Sequence, residues 1–225
     1  MRLLKAVTIC AAACALISQS ASAQRANTFD NSWFWGLKTG ASFFSTPGTP
    51  TTSTGSTSAS VPTWGLDWMI TRKHGGLYIS ADESFFTRSI TATDASSVTG
   101  TRQIKISGLH RVDFAGVVFP ARHNAIRPYA GIGAAISILG SASAQADSVG
   151  GAPSQRFIND TENKRSRASV LIMGGVQFQG ALSHTAFFVQ ETVLPSGPQF
   201  LINSPMSFLE VGVRYNFGSS IESAH

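Results

Sequence analysis

Six charged residues stand out because each lies on the polar side of a segment whose other side is apolar. Three are basic and three are acidic: Lys38, Asp67, Arg111, Asp113, Glu210 and Arg214. Successive residues of a β-strand point to opposite faces, so these charges would share a face away from the apolar one. Removing one partner of a buried ion pair costs about 3–5 kcal/mol, so enclosed charges must pair. We therefore predict an ion-pair network inside the fold, with solvation of individual charges in a wet interior as the open alternative.

Histidines could also carry chemistry, since a histidine held by a carboxylate can activate a serine as a nucleophile. His110 has Ser107 and Asp113 nearby in sequence, but strand alternation places His110 on the opposite face from both. The other internal histidines fall in predicted turns: His74, His123 and His184. The sequence thus predicts a structural role for His110 and no catalytic residue.

The sequence also predicts no metal, cofactor or nucleic-acid site. No spacing of His, Cys and Asp matches a metal site, and Gly131-x-Gly133 lacks the following helix of a dinucleotide site. Of the seventeen basic residues, Arg2 and Lys5 lie in the N-terminal segment discussed below, which leaves fifteen against twelve acidic residues. That modest charge is scattered, so nucleic acid is not expected as a partner.

The elements that would position these residues are short segments in which apolar and polar residues alternate. We predict eight strands: Trp33–Phe44, Thr63–Thr71, Gly76–Arg88, Arg102–Phe119, Pro128–Leu139, Arg167–Gln179, Thr185–Leu194 and Met206–Phe217. All nine prolines fall between these segments or at their ends. Within Thr185–Leu194 the pair Phe187-Phe188 leaves the facing open, and a bulge is one explanation.

The connections between these segments alternate in length along the chain. Short connections span residues 72–75, 120–127 and 180–184, and long ones span 45–62, 89–101, 140–166 and 195–205. Transmembrane barrels have short turns on one side of the membrane and longer loops on the other. The sequence therefore predicts an all-β, eight-stranded antiparallel up-and-down transmembrane β-barrel over residues 24–217. Its apolar face would contact lipid and its charged face would line the lumen.

The N-terminus has the features of a secretory signal peptide. Arg2 and Lys5 precede the apolar run Ala6–Ile17, and Ala21-Ser22-Ala23 provides a small-residue cleavage site. We predict a signal peptide over residues 1–23, although a lipoprotein cysteine at Cys10 or Cys14 stays open. Both cysteines lie in this segment, so the mature chain would contain no disulfide.

Tryptophans are confined to the first two predicted strands, near strand ends. They are Trp33, Trp35, Trp64 and Trp68. Indole can keep its ring in hydrocarbon and its N–H near lipid headgroups, so these residues are predicted to form an aromatic girdle. Aromatic clusters also occur in soluble cores.

Two local motifs resemble a known family, the small outer-membrane β-barrel proteins of the OmpA/OmpX-like group. Arg127-Pro128-Tyr129-Ala130-Gly131-Ile132-Gly133 resembles the start of the strand after the middle periplasmic turn in that group. The end of the last strand resembles the signal that the outer-membrane assembly machinery reads, which implies that role for Glu210, Gly212, Tyr215 and Phe217. The chain departs from the commonest pattern by continuing over residues 218–225, predicted to be a short periplasmic tail.

The resemblance implies a bacterial outer-membrane protein exported through the general secretory pathway. Outer-membrane lipid, lipopolysaccharide and, during biogenesis, the assembly machinery would be its partners, and the oligomeric state stays open. The leading function is a non-enzymatic barrel with a side-chain-filled lumen, serving envelope integrity and surface-loop display in adhesion or defence.

Three alternatives to this function stay open. The resemblance allows a narrow small-solute channel or a lipid A-modifying enzyme. A secreted lipocalin-like barrel is the third. It would need apolar side chains inside, whereas Glu210 and Arg214 lie opposite the apolar face of the last strand.

Overall fold

The computed structural model describes residues 29–47, 56–120, 125–146, 150–163, 166–180, 183–195 and 204–219. The predicted signal peptide, His123 and residues 220–225 of the predicted tail lie outside these ranges. The described part contains one helix, α1 (Gln155–Asn163), and eleven strands. In chain order the strands are β1 (Ser32–Pro47), β2 (Ser56–Thr71), β3 (Gly75–Ser84), β4 (Ile90–Thr93), β5 (Thr101–Ile106), β6 (Leu109–Val118), β7 (Ile126–Leu139), β8 (Ala142–Ala144), β9 (Ser166–Gln179), β10 (Thr185–Leu194) and β11 (Met206–Ser219).

Eight of the described strands form a closed antiparallel barrel in the order β1, β11, β10, β9, β7, β6, β3, β2. Each barrel strand pairs with the next one along the chain, and β1 closes the ring by pairing with β11. Closure leaves no strand edge without a partner, which is what a sheet surrounded by lipid requires. The predicted eight-stranded antiparallel barrel is confirmed.

We name the two ends of the barrel by their connections. The turn end holds the short connections β2–β3, β6–β7 and β9–β10, the start of β1 and the end of β11. The loop end holds the longer connections, so the predicted alternation of short and long connections matches the order of the strands.

Side chains alternate between the inside and the outside along the barrel strands. On β6, Arg111 and Asp113 are buried, whereas Phe114 and Val118 are exposed. Exposed aliphatic and aromatic side chains cover the outside of the other barrel strands as well. The barrel is therefore apolar outside and polar inside, the reverse of a soluble protein.

The fourth predicted strand, Arg102–Phe119, is wrong as a single element. It breaks at Ser107-Gly108 into β5 and β6, and β5 leaves the barrel to pair with β4 and β8. Because β5 belongs to this second sheet, its two faces do not follow the inside and outside of the barrel, and Ile104 and Ile106, expected on the lipid face, are buried. Local alternation looks the same in both sheets, which is why the sequence suggested one strand.

The three-stranded sheet β4–β5–β8 and helix α1 form a compact unit at the loop end, which we call the loop-end lobe. Ile90, Ala92, Ile104 and Ile106 supply its buried apolar side chains. The sequence had assigned these residues to long surface connections and to one barrel strand. No helix within the described ranges has the length and apolar character needed to cross a bilayer.

Two prolines lie inside strands, contrary to the expectation that all nine would fall between or at the ends of strands. Pro62 pairs with Ala41 in β2, and Pro128 pairs with Val176 in β7. Each of these prolines pairs with only one of its two neighbouring strands. The pairing of β2 with β3 ends at Thr63, next to Pro62, and the pairing of β7 with β6 ends at Ala130, before Pro128 is reached. A missing N–H is tolerated where the neighbouring ladder has stopped.

The structure shows which residues of β10 face inward, and it makes β1 and β2 longer than predicted. The pairs that β10 forms with β9 and β11 follow one another without a register shift, so the suggested bulge is wrong. Gln190 is buried inside and Glu191 is exposed outside. The low-complexity stretch after the first predicted strand also contributes to the ladder, because Thr46 pairs with Thr57.

Candidate functional site: the barrel interior

The six charged residues predicted to share a face all point into the barrel. Each is no more than 2% exposed, and they come from four strands. By strand they are Lys38 on β1, Asp67 on β2, Arg111 and Asp113 on β6, and Glu210 and Arg214 on β11. Closure of the ring brings these strands around one lumen, so side chains far apart in sequence become neighbours.

One cluster of charges centres on Asp82 and Glu210. Lys38 Nζ lies 2.9 Å from Asp82 Oδ1 and 3.0 Å from Glu210 Oε2. Arg111 Nη2 lies 2.7 Å from Asp82 Oδ2 and 3.1 Å from Glu210 Oε1. Two cations and two carboxylates thus form a closed ring of ion pairs, which offsets the cost of burying each charge.

Asp113 and Phe208 complete the surroundings of Arg111. Arg111 Nε lies 3.2 Å from Asp113 Oδ2. The guanidinium carbon lies 3.6 Å from the centre of the Phe208 ring, a distance at which the ring face attracts a cation. Arg111 is therefore held by three carboxylates and one aromatic ring.

A second cluster centres on Arg214 and Asp67. Arg214 Nη2 and Nε lie 2.6 Å and 3.0 Å from Asp67 Oδ2. Arg214 Nη1 donates to Gln177 Oε1 at 3.1 Å, and its guanidinium carbon lies 3.7 Å from the centre of the Phe188 ring. Asp67 is the one carboxylate that the described residues place in an ion pair with Arg214.

Gln190 joins the two clusters. Its Nε2 donates to Glu210 Oε2 at 2.8 Å and to Tyr78 Oη at 2.8 Å. Its Oε1 accepts from Arg214 Nη2 at 3.0 Å and from Tyr129 Oη at 2.9 Å. One amide side chain thus uses both its donor and its acceptor to connect the charges into a single network.

Sequence reasoning missed Asp82, Tyr78, Tyr129 and Gln190 as members of the network. Asp82 and Tyr78 occupied the polar side of the third predicted strand, so alternation alone could have included them. Gln190 could not be included, because the facing of its strand was open. With Asp82, the described network holds three basic and four acidic side chains instead of three of each.

Inward glycines make room for these charged side chains. A Cβ atom on Gly36 would lie 2.0 Å from Asp67 Oδ1, and one on Gly65 would lie 1.9 Å from Asp82 Oδ1. Real Cβ atoms do not approach so closely. The carboxylates therefore occupy the space that a side chain at either position would fill.

Apolar residues close the lumen on both sides of the network. At the turn end, the residues before β1 fold under the barrel: the Phe29 ring lies 4.8 Å from Phe119 and 5.5 Å from Phe34. Leu194 and Met206 are buried near the loop end. The charges are thus enclosed between two apolar layers.

The tryptophans face outward at two heights. Trp68 contacts Trp33 and Trp35 near the turn end, with ring centres 5.8 Å and 5.9 Å apart. Trp64 is 48% exposed and lies further from the end of β2. Three of the four predicted girdle residues therefore form one cluster, and the fourth stands apart.

The residues of the predicted assembly signal divide between the two faces of β11. Glu210 and Gly212 point inward, and Tyr215 and Phe217 point outward near the turn end, with rings 5.0 Å apart. Strand β11 continues to Ser219, two residues beyond the predicted strand end and into the predicted tail.

His110 has a partner that sequence reasoning did not identify. Its Nδ1 contacts the Glu83 carboxylate, which lies directly opposite on β3 and also faces outward. Ser107 and Asp113 are near His110 along the chain, whereas its partner Glu83 lies across the sheet on the neighbouring strand. In the described part of the chain, no three His, Cys, Asp or Glu side chains are grouped so as to hold a metal ion.

Comparisons with known proteins place the fold. No protein-family model matches the sequence, and no curated protein matches it. Neisserial surface protein A (NspA) is 13% identical, with a TM-score of 0.51, over 84% of this chain and 98% of that one. Ail of Yersinia pestis, solved with the heparin analogue sucrose octasulfate, is 12% identical with a TM-score of 0.48 over 84% and 100%. The OprF N-terminal β-barrel domain of Pseudomonas aeruginosa is 11% identical with a TM-score of 0.47 over 84% and 98%. The chain therefore has the OmpA-like fold of the small eight-stranded outer-membrane barrels.

Proposed function

We propose that this protein is a non-enzymatic, integral outer-membrane barrel with a closed lumen, which supports envelope integrity and displays its loop-end lobe outside the cell. It would reach the bacterial outer membrane through the general secretory pathway. Lipid and lipopolysaccharide would surround it, and the assembly machinery would read Glu210, Gly212, Tyr215 and Phe217. Trp33, Trp35, Trp64 and Trp68 would contact the interfacial region of the membrane.

One observation carries this proposal: the charged network occupies the lumen and is buried. An eight-stranded barrel is only wide enough for side chains to fill its interior. Lys38, Arg111 and Arg214 are each no more than 2% exposed, and apolar layers lie on both sides of them. A solute would have to break several buried ion pairs in order to pass.

The test combines location with conductance. In cell fractionation, the protein should follow the outer membrane and should show a heat-dependent change in gel mobility. In planar bilayers, the purified protein should give no discrete conductance steps. Regular steps that persist at high purity would instead support the narrow small-solute channel, and a mature chain that stays monodisperse without detergent would contradict the barrel's membrane location.

The outward His110–Glu83 pair is the one feature that favours the lipid A-modifying alternative. A carboxylate beside histidine can orient it as a base, and this pair lies near the loop end, where it would face the outer leaflet. The described contacts of His110 include no serine. Lipid A from a strain that overproduces the protein should therefore keep its mass, and a change abolished by His110→Ala would establish the enzyme.

A further inference from the structure

A cavity of about 600 Å³ opens at the loop end, away from the ion network. Its walls come from the loop-end parts of β1 and β2, which extend past the last β2–β3 pair at Thr63. The segment that joins β3 to β4 also contributes. Gln103 of β5 adds one side chain from the loop-end lobe. Ligand pockets in proteins commonly have volumes of about 300–1,000 Å³.

The floor of this cavity is apolar and aromatic. Phe44, Val61 and Ile90 are buried beneath it, and the Phe86 ring lies 5.9 Å from the Phe44 ring. Phe86 is partly exposed, so its ring can contact a ligand. Such a floor suits the C–H face of a ring-shaped molecule.

The walls have a different chemistry from the floor. Hydroxyl groups predominate, among them those of Ser60, Thr87 and Thr91, and each can both donate and accept a hydrogen bond. Arg88 is exposed and is the only charged residue among the described residues that line the cavity. Since none of these described residues supplies a carboxylate to balance Arg88, the cavity favours a ligand with one negative charge.

We propose that this cavity binds an acidic sugar, a polyhydroxylated ring that carries one carboxylate. Arg88 would hold the carboxylate through two parallel hydrogen bonds, which suits the planar guanidinium. The wall hydroxyls would bond the sugar hydroxyls, and the Phe86 ring would contact the apolar face of the sugar.

Other ligand classes leave part of the cavity unused. A fatty ligand would bury the wall hydroxyls without partners, which costs free energy. A free inorganic anion would use Arg88 but leave the aromatic floor empty. A neutral sugar would use the floor and the hydroxyls but leave Arg88 without a counter-charge.

The test measures binding of D-glucuronate and of D-glucose to the full mature chain in detergent micelles. Saturation-transfer NMR would detect contact, and calorimetry would give Kd. Glucuronate should bind at least about tenfold more tightly than glucose, since glucose lacks the group that pairs with Arg88. Equal binding of both sugars, or binding of neither, would overturn the proposal.

Variants assign the effect to the cavity. Arg88→Gln should weaken glucuronate binding about tenfold or more and leave glucose unchanged, while Arg88→Lys should fall between, because lysine lacks the planar fork. Arg156→Gln on α1 is the matched control, since it removes an exposed arginine outside the cavity. If Arg156→Gln weakened binding as much as Arg88→Gln, the attraction would come from overall charge and not from this cavity.

Two further measurements distinguish the sources of failure. Each variant should keep the heat-dependent gel shift of the parent, which shows that the barrel is folded. Glucose 6-sulfate tests the nature of the anion: tighter binding of the sulfate than of glucuronate would contradict the carboxylate assignment. The inference extends the loop-display part of the proposed function, but its test does not depend on conductance. The closed lumen and the sugar-binding cavity can therefore be contradicted independently of each other.

Discussion

Arg111 and Arg214 meet their carboxylates in different ways, although both are fully enclosed. Arg111 lies against Asp82, Asp113 and Glu210, whereas Arg214 forms its ion pair with Asp67. Removing one carboxylate should therefore have unequal effects at the two positions. The described network also holds one more acidic than basic side chain, so the loss of one carboxylate near Arg111 would leave three side chains of each sign.

We expect Asp67→Asn to destabilise the barrel far more than Asp113→Asn. The first change removes the one carboxylate paired with Arg214 within the described residues, and a buried charge left without its partner costs about 3–5 kcal/mol. The second leaves Arg111 with Asp82 and Glu210. Urea unfolding in lipid vesicles would measure the free energies. Equal losses for the two isosteric changes would show that the ion pairs do not act as the geometry indicates.

The close approach of Asp67 to Gly36 gives a second prediction. Gly36→Ala should destabilise the barrel by about 1–3 kcal/mol, because the added methyl group would displace the carboxylate from Arg214. Gly116→Ala is the control, since a Cβ there has nothing within 4 Å. Thermal midpoints of the gel-mobility shift would compare the two. A stable Gly36→Ala barrel would mean that the carboxylate can move without cost.

A buried ion pair links several segments of the loop-end lobe. Arg102 Nε lies 2.6 Å from Asp94 Oδ2, and Arg102 Nη1 donates to the carbonyl groups of Gln145 and Gly151 at 2.8 Å. The same arginine thus connects β5 to the turn after β4 and to the segment before α1. The long connections of the chain therefore include an ordered unit.

This ion pair predicts that the loop-end lobe loses stability in acid. Burial alone would raise the pKa of the Asp94 carboxyl, but hydrogen bonds from Ser96 and Arg102 outweigh it and lower that pKa from 3.8. Because the folded pKa lies below the unfolded one, the stabilisation is present above about pH 4 and is lost as the pH falls through the lowered value. Hydrogen-exchange protection of the β5 amides, corrected for intrinsic exchange rates, should therefore decrease as the pH drops below about 4.

The control for this prediction is Asp94→Asn, which cannot ionise. Its lobe should be less protected at neutral pH and should lose the acid dependence, while protection of the β6 and β7 amides stays unchanged. If the parent and the variant responded to acid alike, another group would be responsible.

The whole molecule presents an apolar outside to its surroundings and keeps its charges inside. Exposed aliphatic and aromatic residues cover the outer face, whereas the lumen holds buried Lys, Arg, Asp and Glu side chains. Such a distribution is stable only where the medium is itself apolar between the two ends of the barrel. Solvent preference is thus a property of the complete ring and not of any one strand.

This distribution predicts a depth-dependent cost for an outward charge. Ile132 is 65% exposed in the middle of β7, and Ile138 is 45% exposed next to its loop end. In vesicles, Ile132→Arg should destabilise the folded barrel by about 2–4 kcal/mol and Ile138→Arg by about 0–1 kcal/mol. Two small and equal effects would indicate that the outer face contacts water.

The amino-acid sequence by itself determined which side of most strands is polar, since alternation has a period of two and needs no partner strand. It therefore identified Lys38, Asp67, Arg111, Asp113, Glu210 and Arg214 as inward residues and predicted the barrel. Asp82 was available to the same reasoning.

Only the tertiary structure decided which of those residues meet. The pairs Lys38–Asp82 and Asp67–Arg214 depend on the register of several strands and on the closure of β1 against β11, and neither quantity is local. The same limit explains the lobe: residues 101–106 alternate like a barrel strand, and their pairing with β4 and β8 assigns them to another sheet. It also explains the His110–Glu83 pair, which joins two strands that are neighbours in space.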